Sequence, residues 1–184
     1  EFEAKEKQKE LAKSLKKEVE EKEDLGKGIK LEMILIPAGK FKMGSPESEK
    51  GRGSYETQHD VTLTQPFYMS KYEVTQEQWE GVMGNNPSLI KNAKLPATHI
   101  SWKDCQELVK KLNAKTNGGY RVPTEAEWEY ACRAGTSTAY SFGNNLTKSD
   151  ANIDSDSIKA VGSYEPNAFG LYDMHGNVWE WCSN

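Results

Sequence analysis

Apolar residues are sparse at the start of the chain and recur there at helical spacing. Leu11, Leu15 and Val19 lie among a dense mixture of Lys and Glu, a pattern that predicts a solvated charged helix or linker over residues 1–28. The apolar stripe covers too few heptads to indicate a coiled coil. Beyond it the sequence becomes richer in apolar residues, so we expect the domain proper to occupy residues 29–184.

Strand-like patterns follow in three places. The stretch LEMILIPAGKFKMGS combines an apolar run, a Pro-Ala-Gly turn and an alternating segment, which predicts two strands joined as a hairpin. The stretch HDVTLTQPFYMS alternates again and predicts a second strand pair. A short strand is also predicted at YRV, which occupies positions 120–122.

Three short helices are predicted from their N-terminal signals. Thr75, Ser101 and Thr124 are each followed three residues later by Gln, Asp or Glu, the arrangement of a capping box. Beyond the third helix, Gly, Asn, Asp and Ser surround isolated aromatic residues, so we expect loops that depend on specific polar contacts or bound ions. The predicted helix ends are Gly84, Asn117 and Gly135.

Composition narrows the possible partners. The net charge of -4 supplies no basic stripe, so a nucleic-acid partner is not expected. No run of eighteen apolar residues occurs, so we expect no membrane partner. Cys105, Cys132 and Cys182 form no CxxC pair and are predicted to be structural. Localisation is left open by these features.

The richest cluster of polar side chains lies in FGLYDMHGNVWEW. Asp173 and Glu180 are hard oxygen donors on either side of a Gly-Asn turn, which is ligand chemistry that calcium prefers. The alternative is that Asp173 accepts from turn amides while Glu180 forms an ion pair. Upstream, Asn152, Asp154 and Asp156 alternate, as in either an oxygen-ligand loop or a solvated Asx turn.

Trp179 also has two readings from the residues alone. It shares one face of an extended segment with Trp181. That face would belong to the core, or Trp179 would anchor an extended peptide at a groove. His175 and Glu180 do not share a helical face, so a zinc site is not expected.

Six segments in order resemble the formylglycine-generating enzyme (sulfatase-modifying factor) family over about residues 30–184. They are MILIPAGKFKMGS, FYMSKYEVTQEQW, HISWKDC, YRVPTEAEWEYACRAGT, ANI and NAFGLYDMHGNVWEWCS. The resemblance implies an α+β, C-type-lectin-like fold with little regular secondary structure, stabilised by calcium. It further implies a second calcium at Asn152 and the carbonyl of Ile153, where Asp154 or Asp156 would replace a later family aspartate. For the first calcium, the implied ligands are the side chains of Asp173 and Glu180 and the carbonyls of Gly176 and Val178.

The resemblance also implies a reaction and a partner. Enzymes of this family use copper and oxygen to convert a cysteine of an unfolded sulfatase chain into formylglycine, and Glu73 and Trp179 would contribute to the groove for that extended peptide. The copper-binding cysteines of the family follow the WEW motif, whereas the sequence here stops at Asn184. We therefore expect a C-terminally incomplete domain with no catalytic residue in this stretch. The alternative is a non-catalytic, bacterial C-type-lectin-like domain for ligand binding or display.

Overall fold

The computed structural model describes residues 2–153, 155 and 157–183. These residues contain four helices and five strands, and the tail after the last helix has neither. The small sheets, short helices and long irregular tail agree with the expected α+β class. No helix within the described ranges is long and apolar enough to cross a bilayer. The elements are α1 (Phe2–Leu15), β1 (Glu20–Gly26), β2 (Ile29–Ile36), β3 (Gly39–Met43), β4 (His59–Leu63), β5 (Phe67–Ser70), α2 (Gln76–Met83), α3 (Trp102–Lys115) and α4 (Glu125–Arg133).

Two antiparallel sheets form. The four strands predicted in the two alternating stretches are present, but the predicted hairpin of β2 with β3 and the pairing of β4 with β5 are wrong. One sheet has the order β1-β2-β5 and the other pairs β3 with β4. Strand β2 therefore lies in a different sheet from β3, and β4 lies in a different sheet from β5. The burial of each strand explains this: β2 ends in three consecutive buried residues and needs cover on both sides, whereas β3 and β4 each bury one face and suit one another.

The charged N-terminal segment also departs from its prediction, because β1 replaces the second half of the expected helix. Its charged side chains are paired across the sheet. Lys22 lies 2.6 Å from Glu32, and Lys71 lies 2.8 Å from Glu20. A Lys- and Glu-rich stretch therefore forms an edge strand, since opposite charges on neighbouring strands offset its low β-propensity.

Helix α1 is not solvated all round. Ala4, Gln8 and Ala12 are buried at i, i+4 and i+8 on one face. The Gln8 amide donates to the carbonyls of Leu35 and Phe169, at 2.9 and 3.0 Å. The small alanines let the helix approach the domain closely, so α1 is part of the packed core.

The three capping boxes are confirmed. Helices α2, α3 and α4 each have the reciprocal side-chain and backbone pairs at their first turn. The predicted end of α2 at Gly84 is correct, and α3 ends before Asn117, with Thr116 as its cap. The strand predicted at 120–122 does not form, because the Asn113 side chain bonds both the amide and the carbonyl of Tyr120.

The core joins the irregular tail to α4 and β2. Asn167 is buried, and its amide donates to the carbonyls of Ala131 and Cys132 at 2.8 and 3.1 Å. Its side-chain oxygen accepts from the amides of Phe169 and Leu171. The Asn167 side chain thus fixes the turn that leads into the loop from Asp173 to Glu180, which we call the acidic loop. Backbone groups in this irregular part of the tail have no β-ladder in which to form hydrogen bonds.

Candidate functional site

Three carboxylates interact with one another where the tail meets the start of α2. Glu73 and Asp173 are buried, and Glu180 is exposed. The Glu73 Oε1 accepts from Asn177 Nδ2 at 3.0 Å, and the Asp173 Oδ2 accepts from the amide of Gly162 at 2.6 Å. The Glu73 Oε2 is buried without a hydrogen-bond partner in the described residues. A buried oxygen of this kind is a group that a cation would satisfy.

These carboxylates shift one another's titration. Burial raises the pKa of Glu73 to about 8, with further contributions from the charges of Asp173 and Glu180. Burial also raises the pKa of Asp173, opposed by the Gly162 amide. Desolvation of the carboxyl group raises the pKa of Glu180, a hydrogen bond with Trp128 opposes this shift, and the charge of Asp173 adds to it. The three groups therefore repel one another when ionised, and their mutual repulsion favours binding of either a proton or a positive ion.

The acidic loop has an unusual backbone that the sequence partly signals. Asp173 and Asn177 have φ values of 58° and 67°, a region that Asn and Asp tolerate better than most residues. A Cβ on Gly176 would lie 2.6 Å from the carbonyl oxygen of Asn152. Glycine is therefore required there for close approach of two backbone segments.

Asn177 connects the loops around the carboxylates, a role that its position in the sequence does not indicate. Its side-chain nitrogen, Nδ2, donates to the Glu73 carboxylate and to the carbonyl of Lys159, at 3.0 and 3.2 Å. Its side-chain oxygen accepts from the Lys159 amide and from Asn152 Nδ2. The Gly-Asn pair was visible in the sequence, but its partners lie 18 to 104 residues away along the chain.

The side chains at this loop include oxygen donors of the kind that hard cations such as calcium prefer. Asp173 and Glu180 supply carboxylate oxygens, and the Gly176 carbonyl, which accepts from the Val178 amide at 2.9 Å, has a second lone pair. No group of three or more His, Cys, Asp and Glu side chains in the described ranges has the spacing to hold a metal ion. A calcium here would therefore depend on backbone carbonyls, as the sequence predicts.

The second predicted calcium site is less open. The Asn152 Nδ2 donates to the Ser157 carbonyl and to Asn177, and the Asn152 carbonyl accepts from the Asn177 amide at 3.0 Å. Ile153 follows it, with its amide bonded to Ala151. Asp154 and Asp156, which were expected to complete this site, lie outside the described residues.

The two tryptophans of the WEW motif lie at the surface. Trp179 is fully exposed, so its alternative assignment to the core is wrong. Trp181 is half exposed, donates from its indole nitrogen to the Ile100 carbonyl at 2.9 Å and lies beside the Trp102 ring at a centroid distance of 6.1 Å. Glu73 and Trp179, the two residues expected to contact a peptide, thus lie in different environments. Glu73 is buried, whereas Trp179 is exposed to solvent.

The three thiols and the half-buried His175 lie in environments that favour their uncharged forms. Burial raises the pKa of Cys105, Cys132 and Cys182 to about 11, 12 and 11, so all three are protonated thiols at neutral pH. Burial and the nearby Arg133 lower the pKa of His175 to about 4. The His175 ring is therefore neutral, and its Nε2 accepts from a backbone amide at 3.0 Å.

The fold and the family of the chain follow from comparison with known proteins. The structure matches PvdO from Pseudomonas aeruginosa with a TM-score of 0.80 and 31% identity, covering 91% of this chain and 76% of that one. It matches variable protein 1 of Treponema denticola with a TM-score of 0.76 and 26% identity, over 90% and 76% of the two chains. The architecture is thus that of a C-type-lectin-like fold of the formylglycine-generating-enzyme type.

Residues 20–184 match the sulfatase-modifying factor enzyme 1-like domain, and the chain belongs to this family. The match begins at β1, before the predicted boundary, and α1 precedes it. The chaperone protein LppX of Paenibacillus barcinonensis is 31% identical over 82% of this chain and 70% of its own length. The formylglycine-generating enzyme of Thermomonospora curvata is 35% identical over 58% and 39%. The kinase pkn1 of Chlamydia pneumoniae is 31% identical, and the match spans 30% of its length.

Proposed function

We propose that this chain is a calcium-stabilised domain that binds an extended segment of a partner protein at the surface around Trp179. The observation that carries the proposal is the position of Trp179, which is fully exposed and directly precedes Glu180 of the carboxylate cluster. An exposed indole is costly to leave in water and is a frequent anchor at interfaces. A rigid acidic loop behind it would hold that anchor in place.

Calcium would supply a positive charge that neutralises the acidic loop. Asp173 and Glu180 would hold it with the carbonyls of Gly176 and Val178, and the unpartnered Glu73 Oε2 supports a cation nearby. The protein itself would hold the acidic loop in position through two hydrogen bonds. The Gly162 amide donates to Asp173, and the Asn177 side chain donates to Glu73. Ligand binding to the folded state alone raises the apparent melting temperature.

The calcium proposal is tested by thermal unfolding with and without calcium. The wild type should melt at a higher temperature as calcium is added to the EDTA-treated protein. Asp173→Asn combined with Glu180→Gln should remove this dependence, whereas Glu165→Gln, an exposed carboxylate in a neighbouring loop, should retain it. Equal calcium dependence in all three proteins would overturn the site.

The peptide proposal is tested by fluorescence anisotropy with a labelled, sulfatase-type cysteine peptide. We expect Trp179→Ala to weaken binding about tenfold or more, as for a central aromatic anchor. Tyr55→Ala removes another exposed aromatic side chain and should leave affinity unchanged. If both substitutions have the same effect, Trp179 is not the anchor.

A second candidate is oxidation of a protein cysteine to formylglycine. The 35% identity to a formylglycine-generating enzyme favours it, and oxygen would be the oxidant, with copper as the cofactor. None of the three thiols described above matches the copper-binding cysteines that the family resemblance places after the WEW motif, so copper-binding cysteines would have to lie outside this stretch. The gene product assayed with copper, oxygen and the same peptide should show the mass loss of formylglycine formation; a peptide bound but unmodified favours the binding function.

A further inference from the structure

A loop far from the carboxylate loop in sequence displays aliphatic side chains to solvent. It spans residues 84–97, which we call the tip loop, and its C-terminal end returns to the start of α2. The Ala97 amide donates to the Val74 carbonyl at 2.8 Å, and the Gln76 amide donates to the Leu95 carbonyl at 2.9 Å. A surface loop that is fixed by the elements beneath it is often a functional element.

A buried glutamine fixes the shape of the tip loop. Gln76 is only 1% exposed, and its side chain forms four hydrogen bonds. The side-chain nitrogen, Nε2, donates to the carbonyls of Ile90 and Pro96, at 2.9 and 3.4 Å. Its oxygen accepts from Asn86 Nδ2 and the Asn92 amide, at 2.9 and 3.1 Å. The full hydrogen-bonding capacity of one buried side chain is thus used to hold this loop.

The loop held in this way points apolar groups outward. Leu89 and Ile90 are adjacent and are 75% and 61% exposed. Side chains exposed to this extent project from the surface rather than line a cleft. A flexible loop would turn them inward, so the hydrogen bonds of Gln76 keep them accessible and pre-organised.

The charge of the tip loop is opposite to that of the whole chain. Lys91 and Lys94 are its only charged residues, whereas the chain carries a net charge of -4. Lys91 donates to the Asn86 carbonyl, and Lys94 lies 2.7 Å from Glu77. Both lysines are exposed beside the aliphatic pair. A projecting apolar tip flanked by cations complements a surface that has an anionic outer layer over an apolar interior.

We infer that the tip loop is a peripheral contact site for an anionic phospholipid surface. Leu89 and Ile90 would enter the boundary between headgroups and acyl chains, and Lys91 and Lys94 would lie at the level of the phosphates. A projecting pair suits a deformable lipid surface better than a folded peptide, which needs a groove. The prediction that a membrane is not a partner rested on the lack of a spanning segment, and a contact of this kind needs none.

The test is sedimentation of the whole chain with sucrose-loaded vesicles. Vesicles of phosphatidylcholine with about 30% phosphatidylglycerol should bind the protein weakly and reversibly, below the level of a single myristoyl anchor at about 10⁴ M⁻¹. Leu89→Ser combined with Ile90→Ser should lower the partition coefficient about tenfold. Both side chains are exposed, so the fold should be retained, as circular dichroism would verify.

Matched variants separate the apolar and electrostatic contributions. Lys91→Gln with Lys94→Gln should reduce binding to anionic vesicles and remove its salt dependence. Tyr55→Ser removes an exposed aromatic side chain elsewhere and should leave binding unchanged. No binding by the wild type, or equal binding by the Leu89 and Ile90 variant, would overturn the inference. Self-association that disappears in that variant would instead assign the tip to a second copy of the chain.

Discussion

The buried carboxyl of Glu73 gives the protein a pH dependence that can be calculated and tested in EDTA. Its pKa is about 8 in the folded state, against 4.5 as the ordinary value. A carboxyl whose pKa is raised by folding holds its proton more tightly when folded. Its contribution to stability is therefore complete below about pH 4.5 and is lost as the pH rises towards 8.

The magnitude follows from the interval between the two pKa values. From pH 4.5 to pH 7 there are about 2.5 pH units, each worth about 1.4 kcal/mol for one differentially bound proton. The titration of Glu73 thus lowers the free energy of unfolding by at most about 3.5 kcal/mol over that range. Replacing it by Gln removes the titration while keeping an oxygen that can accept from Asn177, as Oε1 does at 3.0 Å.

The assay is urea unfolding at pH 5, 6, 7 and 8 in EDTA, followed by tryptophan fluorescence. The wild type should lose stability steadily with pH, and Glu73→Gln should show a much smaller slope. Glu165→Gln, an exposed carboxylate, should match the wild type. Parallel slopes for the wild type and Glu73→Gln would refute the reasoning. Under the proposed calcium binding, added calcium should flatten the wild-type slope as well.

Two further substitutions test the close contacts that position the site. Gly176→Ala should destabilise the protein by about 2 kcal/mol or more, because the new Cβ would lie 2.6 Å from the Asn152 carbonyl oxygen; Gly81→Ala, within α2, should cost less in the same urea assay. Gln8→Ala should cost about 1 to 3 kcal/mol by leaving two buried carbonyls unpaired. Glu10→Ala, exposed on the same helix, should be nearly neutral, and equal losses for the two variants would contradict the docking of α1.

Helix starts were predictable because their signals are local. Thr75, Ser101 and Thr124 each form the reciprocal cap that the sequence indicates, since both partners lie within four residues. Strand pairing was not predictable in the same way. The partner of β2 is decided by which surfaces remain to be buried, and alternation along β3 indicates a strand without indicating its neighbour.

The residues of the candidate site likewise differ in whether a local sequence signal identifies them. Asp173 and Glu180 were recognisable as oxygen donors within one short motif, and the resemblance to a family added the carbonyls between them. The position of Glu73 was not predictable, because it lies about a hundred residues earlier and meets Asn177 only after the chain has folded. Asn177 carries no distinctive chemistry of its own, and its role depends on four side-chain hydrogen bonds to three residues that are distant in sequence.

The docking of α1 has a consequence for how the chain folds during synthesis. Gln8 and its partner Phe169 are separated by 161 residues. At about 5 to 20 residues per second, α1 leaves the ribosome roughly 8 to 30 s before the turn that receives it exists. The many Lys and Glu residues of α1 would keep the undocked helix soluble during that interval. The charged face therefore maintains solubility during synthesis, and the alanine face packs against the core once the chain is complete.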